Sequence, residues 1–280
     1  MREVAYADVV ETVSRLAIEA NTFLGEDVLR ALERAAAREE SPLGRQVLSE
    51  ILENDRLAAS ERLPICQDTG AAVVFVEMGE EVSIKGGSLF DAIHAGVRKG
   101  YVEGYLRKSM VADPLRRQNT KDNTPAIIHL ELVPGDRLKI TLLPKGGGAE
   151  NMSRMTMLTP AHGAEGVKQF VLETVEKAGP NACPPVVVGV GIGGTFDTVG
   201  MLAKKALLRP VGSTHPDPFY AEMEEELLER INNLGIGPMG YGGRVTALAV
   251  HIEAAPCHIV SLPVAVNLQC HAARVKWAEL

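Results

Sequence analysis

Leu63-Pro64-Ile65-Cys66-Gln67-Asp68-Thr69-Gly70, running directly into Ala71-Ala72-Val73-Val74-Phe75-Val76-Glu77-Met78, is the stretch on which the fold turns. Its first half sets a soft metal ligand, an amide and a carboxylate in three consecutive positions, between a proline and a glycine that stop regular structure. Its second half is a nearly continuous apolar run rich in β-formers, the pattern of a buried strand. A loop that presents reactive side chains where a sheet begins is a common way to hold functional groups on a rigid frame.

Upstream, apolar residues recur at helical spacing: Val9, Val13, Leu16 and Ala17, then Val28, Leu29, Leu32 and Ala36, then Val47, Leu48, Ile51 and Leu52. Three helices are predicted over residues 4–59. Asn21-Thr22 and Ser41-Pro42 mark the breaks, and a proline just inside a helix start suits its fixed φ. Residues 1–60 therefore read as a helical cap and 61–280 as a mixed α/β part, together one domain. No chemistry is expected in the cap.

Downstream, a helix is predicted from Leu89 to Tyr105, with His94 as a structural residue inside it. Arg107 has two readings: a cation favoured at a helix C-terminus, or a guanidinium that grips a carboxylate by two parallel hydrogen bonds. Ala126–Leu132 and Leu138–Leu143, joined by Pro134-Gly135-Asp136, read as a hairpin. The second of these strands empties into Lys145-Gly146-Gly147-Gly148-Ala149-Glu150-Asn151, a loop in which backbone N–H groups can close on an anion because no Cβ intervenes.

A helix over Pro160–Ala178 precedes the rigid turn Pro180-Asn181-Ala182-Cys183-Pro184-Pro185 and a strand from Val186 to Val190. Gly189-Val190-Gly191-Ile192-Gly193-Gly194 matches the spacing of a dinucleotide fingerprint, but no second strand ending in an acid follows about 20 residues on. It is read as a tight strand-to-helix turn before a helix over Asp197–Leu208. Pro218–Leu234 reads as an acidic amphipathic helix with Glu222, Glu224, Glu225, Glu226 and Glu229 on a solvated face. A glycine-dense loop, Gly235–Gly243, leads to a strand over Val245–Ile252. A last strand region follows over Cys257–Pro263, and Ala272–Leu280 is a short basic tail.

The chain has 280 residues, 46% hydrophobic and 23% charged, with a net charge of −7. That balance is ordinary for a globular protein and argues against holding nucleic acid by bulk electrostatics. No apolar run reaches the roughly 18 residues of a membrane helix, and the N-terminal segment carries acids where a targeting peptide would not. A cytoplasmic protein is expected. Four cysteines in so long a chain do not make a disulfide scaffold, and no CxxC pair is present. Cys66, Cys183 and Cys270 instead lie far apart, each in a loop beside a strand, whereas Cys257 falls within a strand pattern. Spacing alone leaves these three as ligands or as buried thiols.

Taken together, PICQDTG, KGGGAENMSRM, NACPPVVVGVGIGGTFDT and VNLQCHAARVKW resemble the class I, iron-sulfur fumarate hydratases and the closely similar L-tartrate dehydratases. The likeness runs from about residue 10 onward. It implies a [4Fe-4S] cluster held on loops at strand edges by Cys66, Cys183 and Cys270, with one iron free of a protein thiolate. It implies that Gln67 and Asp68 contact the substrate, Asp68 as general acid. It also implies that Arg107 and the Gly147 backbone bind the carboxylates of a small dicarboxylate, and that His258 lies close to it. Single-chain members carry a further C-terminal domain holding the catalytic base. This chain thus resembles the α subunit of a split enzyme whose separate β subunit completes the site, two α with two β. Reversible hydration of fumarate to L-malate is the expected reaction, with tartrate dehydration as the alternative. A non-enzymatic redox protein using all four cysteines is a remoter one.

Overall fold

The computed structural model describes residues 1–280. In chain order the elements are β1 (Arg2–Ala5), α1 (Tyr6–Thr22), α2 (Glu26–Arg38), α3 (Pro42–Glu61), β2 (Ala71–Gly79), β3 (Val82–Lys85), α4 (Leu89–Glu103), β4 (Ile127–Val133), β5 (Leu138–Lys145), α5 (Gly147–Asn151), β6 (Arg154–Leu158), α6 (Gly163–Ala178), β7 (Val186–Gly194), α7 (Val199–Ala206), α8 (Pro218–Asn232), β8 (Ala247–Cys257), β9 (Leu262–Gln269) and β10 (Lys276–Glu279). The fold is mixed α/β. No helix is long and apolar enough to cross a membrane.

The chain forms two compact units. One contains Met1–Leu24, Asp55–Gly147 and Arg274–Leu280; the other contains Gly25–Asn54 and Gly148–Ala273. The three N-terminal helices form where their periodicity places them, but they do not make a cap of their own. α1 belongs to the first unit and α2 to the second, and α3 passes from one to the other.

In the first unit a four-stranded sheet of order β10-β5-β2-β4 packs one face on α1 and α4. Val74 and Val76 of β2 join Leu138, Ile140 and Leu142 of β5 in a core shared with Val13, Leu16, Ile93 and Val97. Each large side chain fully buried there contributes roughly 1.5–3 kcal/mol. The predicted hairpin does not form. β2 lies between β4 and β5, parallel to the first and antiparallel to the second. The reason is burial: β2 is apolar on both faces and takes the centre, whereas β4 is largely exposed and takes an edge. The Pro134-Gly135-Asp136 connection arches over the end of β2, where Gly79 N–H donates to the Arg137 carbonyl and Glu81 N–H to that of Gly135. The expected basic tail is β10, antiparallel to β5. Short β1 and β3, which periodicity did not resolve, form a separate parallel pair.

In the second unit the sheet order is β6-β9-β7-β8, β6 being another strand too short to stand out in the sequence. Val188 and Val190 of β7 and Val264 and Val266 of β9 pack with Val171 and Val175 of α6 and with Leu227 and Ile231 of α8. On the opposite face α7 lies flat on β7. This corrects the reading of Gly189–Gly194 as a turn, because β7 continues through it. A Cβ at Gly189 would stand 2.1 Å from the Ala203 carbonyl oxygen, and one at Gly191 would stand 2.4 Å from that of Val199. The glycines are there so that a helix can touch the strand backbone.

The solvated face assigned to α8 also needs correction. Glu224 is buried, paired with the Arg209 guanidinium, and accepts the Ile252 N–H at 2.7 Å. An inward carboxylate there closes the outer edge of β8. In the same unit Glu39, from the stretch expected to be a plain cap, is buried. Burial pushes its carboxyl up, but the N–H groups of Arg244, Ser41, Val245 and Glu40 outweigh this and hold it below the usual range.

Candidate active site

The loop carrying Cys66 begins as α3 ends; the Leu63 and Ile65 N–H groups rest on the Ala58 and Asn21 carbonyls, and from Asp68 onward the loop's carbonyls are held by distant side chains. Tyr101, buried in α4, directs its hydroxyl at the Thr69 carbonyl (2.8 Å) and the Gly70 carbonyl (3.0 Å). Burial raises the Tyr101 phenol, and the nearby Arg274 charge opposes that rise. Asn123 Nδ2 donates to the same Gly70 carbonyl at 3.1 Å, and its Oδ1 accepts the N–H groups of Ser109 and Met110. Arg274 is only 1% exposed; its Nη2 donates to the Asp68 carbonyl and its Nη1 to Asn21 Oδ1, each at 3.0 Å. A guanidinium so deeply buried is tolerated only where it is hydrogen-bonded. Arg274 lies in the stretch expected to be a short basic tail, which gave no sign of a buried guanidinium.

Within the loop, Cys66 is half-buried and Gln67 exposed. The Cys66 thiol meets Gln67 Oε1 at 3.1 Å, and Asp68 N–H donates to Cys66 Sγ at 3.4 Å. The Asp68 carboxylate accepts on both oxygens: Gly70 N–H reaches Oδ1 at 3.1 Å and Gly147 N–H reaches Oδ2 at 2.7 Å. The glycine run after Lys145 is therefore not an open loop. Gly147 and Gly148 start the one-turn helix α5, and the Gly147 N–H already holds a carboxylate oxygen.

Arg107 lies four residues beyond the last residue of α4, with no basic residue in that helix's last turn, so the dipole reading does not apply to it. Its side chain is exposed, and its carbonyl accepts the Thr69 hydroxyl at 3.1 Å. Cys66, Gln67, Asp68, Arg107 and the Gly147 N–H are thus joined in one unit by direct hydrogen bonds. His94 accepts the Ala126 N–H at 3.2 Å, a structural contact as expected.

In the second unit, Cys183 ends a turn of 3₁₀ helix with φ 53° and ψ 66°, its N–H on the Pro180 carbonyl. Two prolines follow and lead into β7. Cys270 comes directly after β9, which runs antiparallel to β7 with Gln269 opposite Val187. The His271 N–H donates to the Cys183 carbonyl at 3.2 Å, so the two cysteine loops are bonded to each other at one end of this sheet. Met239 N–H on the Pro184 carbonyl supports them from the glycine-dense loop.

Cys257 and His258 lie at the other end. Cys257 is the last residue of β8, opposite Gly194 at the end of β7, so it lies in a strand as expected, and it is exposed. The expected strand over 257–263 is mostly the turn between β8 and β9. The 9 residues of β7 put roughly 26 Å between the two ends of the sheet. Side chains cannot bridge that, so Cys257 cannot join Cys183 and Cys270 around one centre within a chain. His258 lies at the same far end, so it does not come near Cys183 and Cys270 within this unit.

None of the four cysteines forms a disulfide. No three His, Cys, Asp or Glu side chains converge on a point where a single ion would sit. A cluster makes a different demand, one thiolate for each of several irons, and soft donors fit it. Cys66 in the first unit, and Cys183 and Cys270 in the second, each offer a half-buried thiol on a loop, the kind of donor such a cluster takes.

The family profile described as Fumarate hydratase (Fumerase) matches residues 10–279. The "Putative L(+)-tartrate dehydratase subunit alpha" of Methanocaldococcus jannaschii is 47% identical over 270 residues, covering 94% of each chain. The "L(+)-tartrate dehydratase subunit alpha" of Escherichia coli K12 is 35% identical over 277 residues, covering 98% of this chain and 91% of the relative. The protein of the same name in Shigella sonnei is also 35% identical, with the same coverage. With a profile match over nearly its whole length and relatives this similar end to end, the chain belongs to the fumarate hydratase (fumerase) family, a family of hydro-lyases.

Proposed function

We propose that this chain is the α subunit of a two-subunit hydro-lyase that removes water from a small 2-hydroxydicarboxylate, with L-tartrate as the substrate. The observation that carries the reading is the hydrogen-bonded set in the first unit: a thiol, an amide and a carboxylate aimed by two N–H groups, on a loop whose Thr69 hydroxyl rests on the Arg107 carbonyl. The names of the relatives favour tartrate over malate and imply a β chain. The family description favours the second reading, fumarate and malate.

Cys66, Cys183 and Cys270 would hold a [4Fe-4S] cluster. When bound, the cluster supplies a Lewis-acidic iron that makes hydroxide a better leaving group. Asp68 moves the proton. The N–H groups of Gly70 and Gly147 fix its plane, and as the acid for the departing hydroxyl it becomes the base when water adds in reverse. Gln67 orients the substrate hydroxyl beside it. Arg107 is free to rotate onto a substrate carboxylate as a two-point fork; the Gly147 N–H, engaged by Asp68 in this state, would reach a substrate carboxylate only by leaving that bond. The base that takes the carbon-bound proton comes from the β chain. A reducing cytoplasm suits four cysteines that form no disulfide.

The test is anaerobic co-expression with a β chain, followed by turnover of L-tartrate and of L-malate on the same preparation. Tartrate turnover well above malate turnover is expected, and the reverse would favour the second reading. Cys66→Ser should abolish the visible absorption of the cluster. Asp68→Asn should keep that absorption and lower kcat by about 10²–10⁴-fold. Near-full activity of Asp68→Asn would remove Asp68 from the mechanism.

A further inference from the structure

Within the second unit, α2 and the residues leading into β8 enclose a small cavity of about 70 Å³. Its floor is apolar, with Ala31, Ala35 and Val245 all buried. Three arginines line it: Arg34 and Arg38, one turn apart on α2, and Arg244, just before β8. No aspartate or glutamate does. All three arginines are exposed and none forms an ion pair, whereas Arg30, one turn earlier on α2, pairs with Glu26 at 2.8 Å.

The other polar groups at hand are already satisfied. The Glu39 carboxylate, beside Arg38 in sequence, accepts the N–H groups of Glu40, Ser41 and Arg244 at 2.9 Å each and that of Val245 at 2.8 Å. It therefore serves backbone, and it ties Arg244 to the end of α2, so the two sources of arginine are held together in advance. Asn232, which also lines the cavity, accepts the Thr246 and Ala247 N–H groups on Oδ1 and donates to the Ala247 carbonyl from Nδ2. What is left free is donor-only and positive.

The helix dipole accounts for Arg38, which lies in the last turn of α2. It does not account for Arg34, a full turn further in, whose like charge four residues from Arg38 works against the helix. Arg244 is in no helix. Three uncompensated cations over an apolar floor, in a chain of net charge −7, focus a positive field into the cavity. At roughly 10–15 Å³ per water the space holds about five waters, enough for one tetrahedral oxyanion and too little for a nucleobase. A planar carboxylate fills one guanidinium fork, whereas a phosphate has oxygens to offer forks arriving from two sides.

We propose that the cavity between Arg34, Arg38 and Arg244 is a binding site for a phosphate group, either free phosphate or the end of a small phosphate monoester. It uses none of the residues assigned to the cluster or the substrate.

Phosphorus NMR and calorimetric titration of the full chain, co-expressed as for the turnover assays, test this with inorganic phosphate and with glycerol 3-phosphate. Saturable binding with a Kd of about 1 mM or below is expected, weakening as sodium chloride is raised. Arg34→Gln and Arg244→Gln should each raise Kd about tenfold, and Arg34→Lys, which keeps the charge and loses the fork, about threefold. The Gln variants should keep the wild-type circular dichroism and turnover, so that lost binding is not misfolding. Arg107→Gln should leave phosphate binding as it was, which separates this cavity from the arginine proposed to hold substrate. Binding of either probe with this dependence supports the site, and the tighter probe identifies its source. Absence of binding up to about 20 mM, binding indifferent to both Gln changes, or binding lost in Arg107→Gln would overturn the proposal. So would succinate bound as tightly as phosphate, since negative charge alone would then be recognised.

Discussion

The loops that present Cys66 and Cys183 do the same job by opposite means. Cys66 sits on a loop whose backbone carbonyls are held by distant side chains: Tyr101 from a helix, Asn123 from a long connection, and Arg274 from 206 residues away. Cys183 sits on a loop shaped by its own backbone, a single 3₁₀ turn ending in a left-handed cysteine, with neighbouring backbone closing around it. A loop held by side chains can be released by one substitution and adjusted by small ones. A loop held by backbone resists side-chain changes and fails only when something is forced into its space.

Arg274→Met should give the largest break. It leaves the Asp68 carbonyl and Asn21 Oδ1 buried without their donor, and unfolding free energy in urea should fall by about 3 kcal/mol or more. The Cys66 loop should become a proteolytic site while the Cys183 loop stays protected. If stability were unchanged, the view that side chains hold the first loop would fail.

The second unit has its own weak point in His251, buried in β8. Burial, aided by the Arg209 charge and opposed by Glu224, lowers it from 6.5 to about 4. Above about pH 6.5 the ring is neutral in both states and contributes nothing. As pH falls towards 4 the unfolded chain takes the proton first, so stability drops by up to about 3 kcal/mol and then levels off. His251→Leu should remove that part of the pH dependence, read from urea midpoints at pH 7 and pH 4.5. An unchanged pH slope would mean that other groups carry it.

Gly240→Ala addresses the backbone-held loop directly. The added Cβ would stand 2.4 Å from Pro180 Cβ at a residue with φ 79°. A loss of roughly 1–3 kcal/mol is expected, with the strain passed to the turn before Cys183. Tyr101→Phe is the mildest test, removing a hydroxyl shared by two carbonyls. A loss of about 1 kcal/mol in unfolding free energy is expected, since Asn123 still holds Gly70.

The same contrast decides what could be read without coordinates. Local signals read well. Pro42 opened α3, the strand after Gly70 began at Ala71, and the Pro-Asn-Ala-Cys-Pro-Pro run was a rigid turn because its conformation is written in adjacent residues. Features set by distant partners did not read. β4 and β5 resembled a hairpin until β2 proved the more buried strand. The glycines of β7 looked like a turn because the helix that needs them lies on the strand. Glu224 passed for surface charge because nothing near it in sequence announces Arg209 or the edge of β8. Among the site residues, Gln67 meets the Cys66 thiol, Asp68 accepts the Gly147 N–H, and Arg107 touches the loop only through its carbonyl on the Thr69 hydroxyl. Arg274 carried no local signal beyond a positive charge.

The hydrogen bond between Arg274 and the Asp68 carbonyl also sets an order of events. A ribosome adding roughly 5–20 residues per second needs about 10–40 s to make the 206 residues that separate them. For that time the Pro-Ile-Cys-Gln-Asp loop exists without the guanidinium that fixes it, while the whole of Gly148–Ala273 is made. The first cysteine to be synthesised is therefore among the last to be set in place.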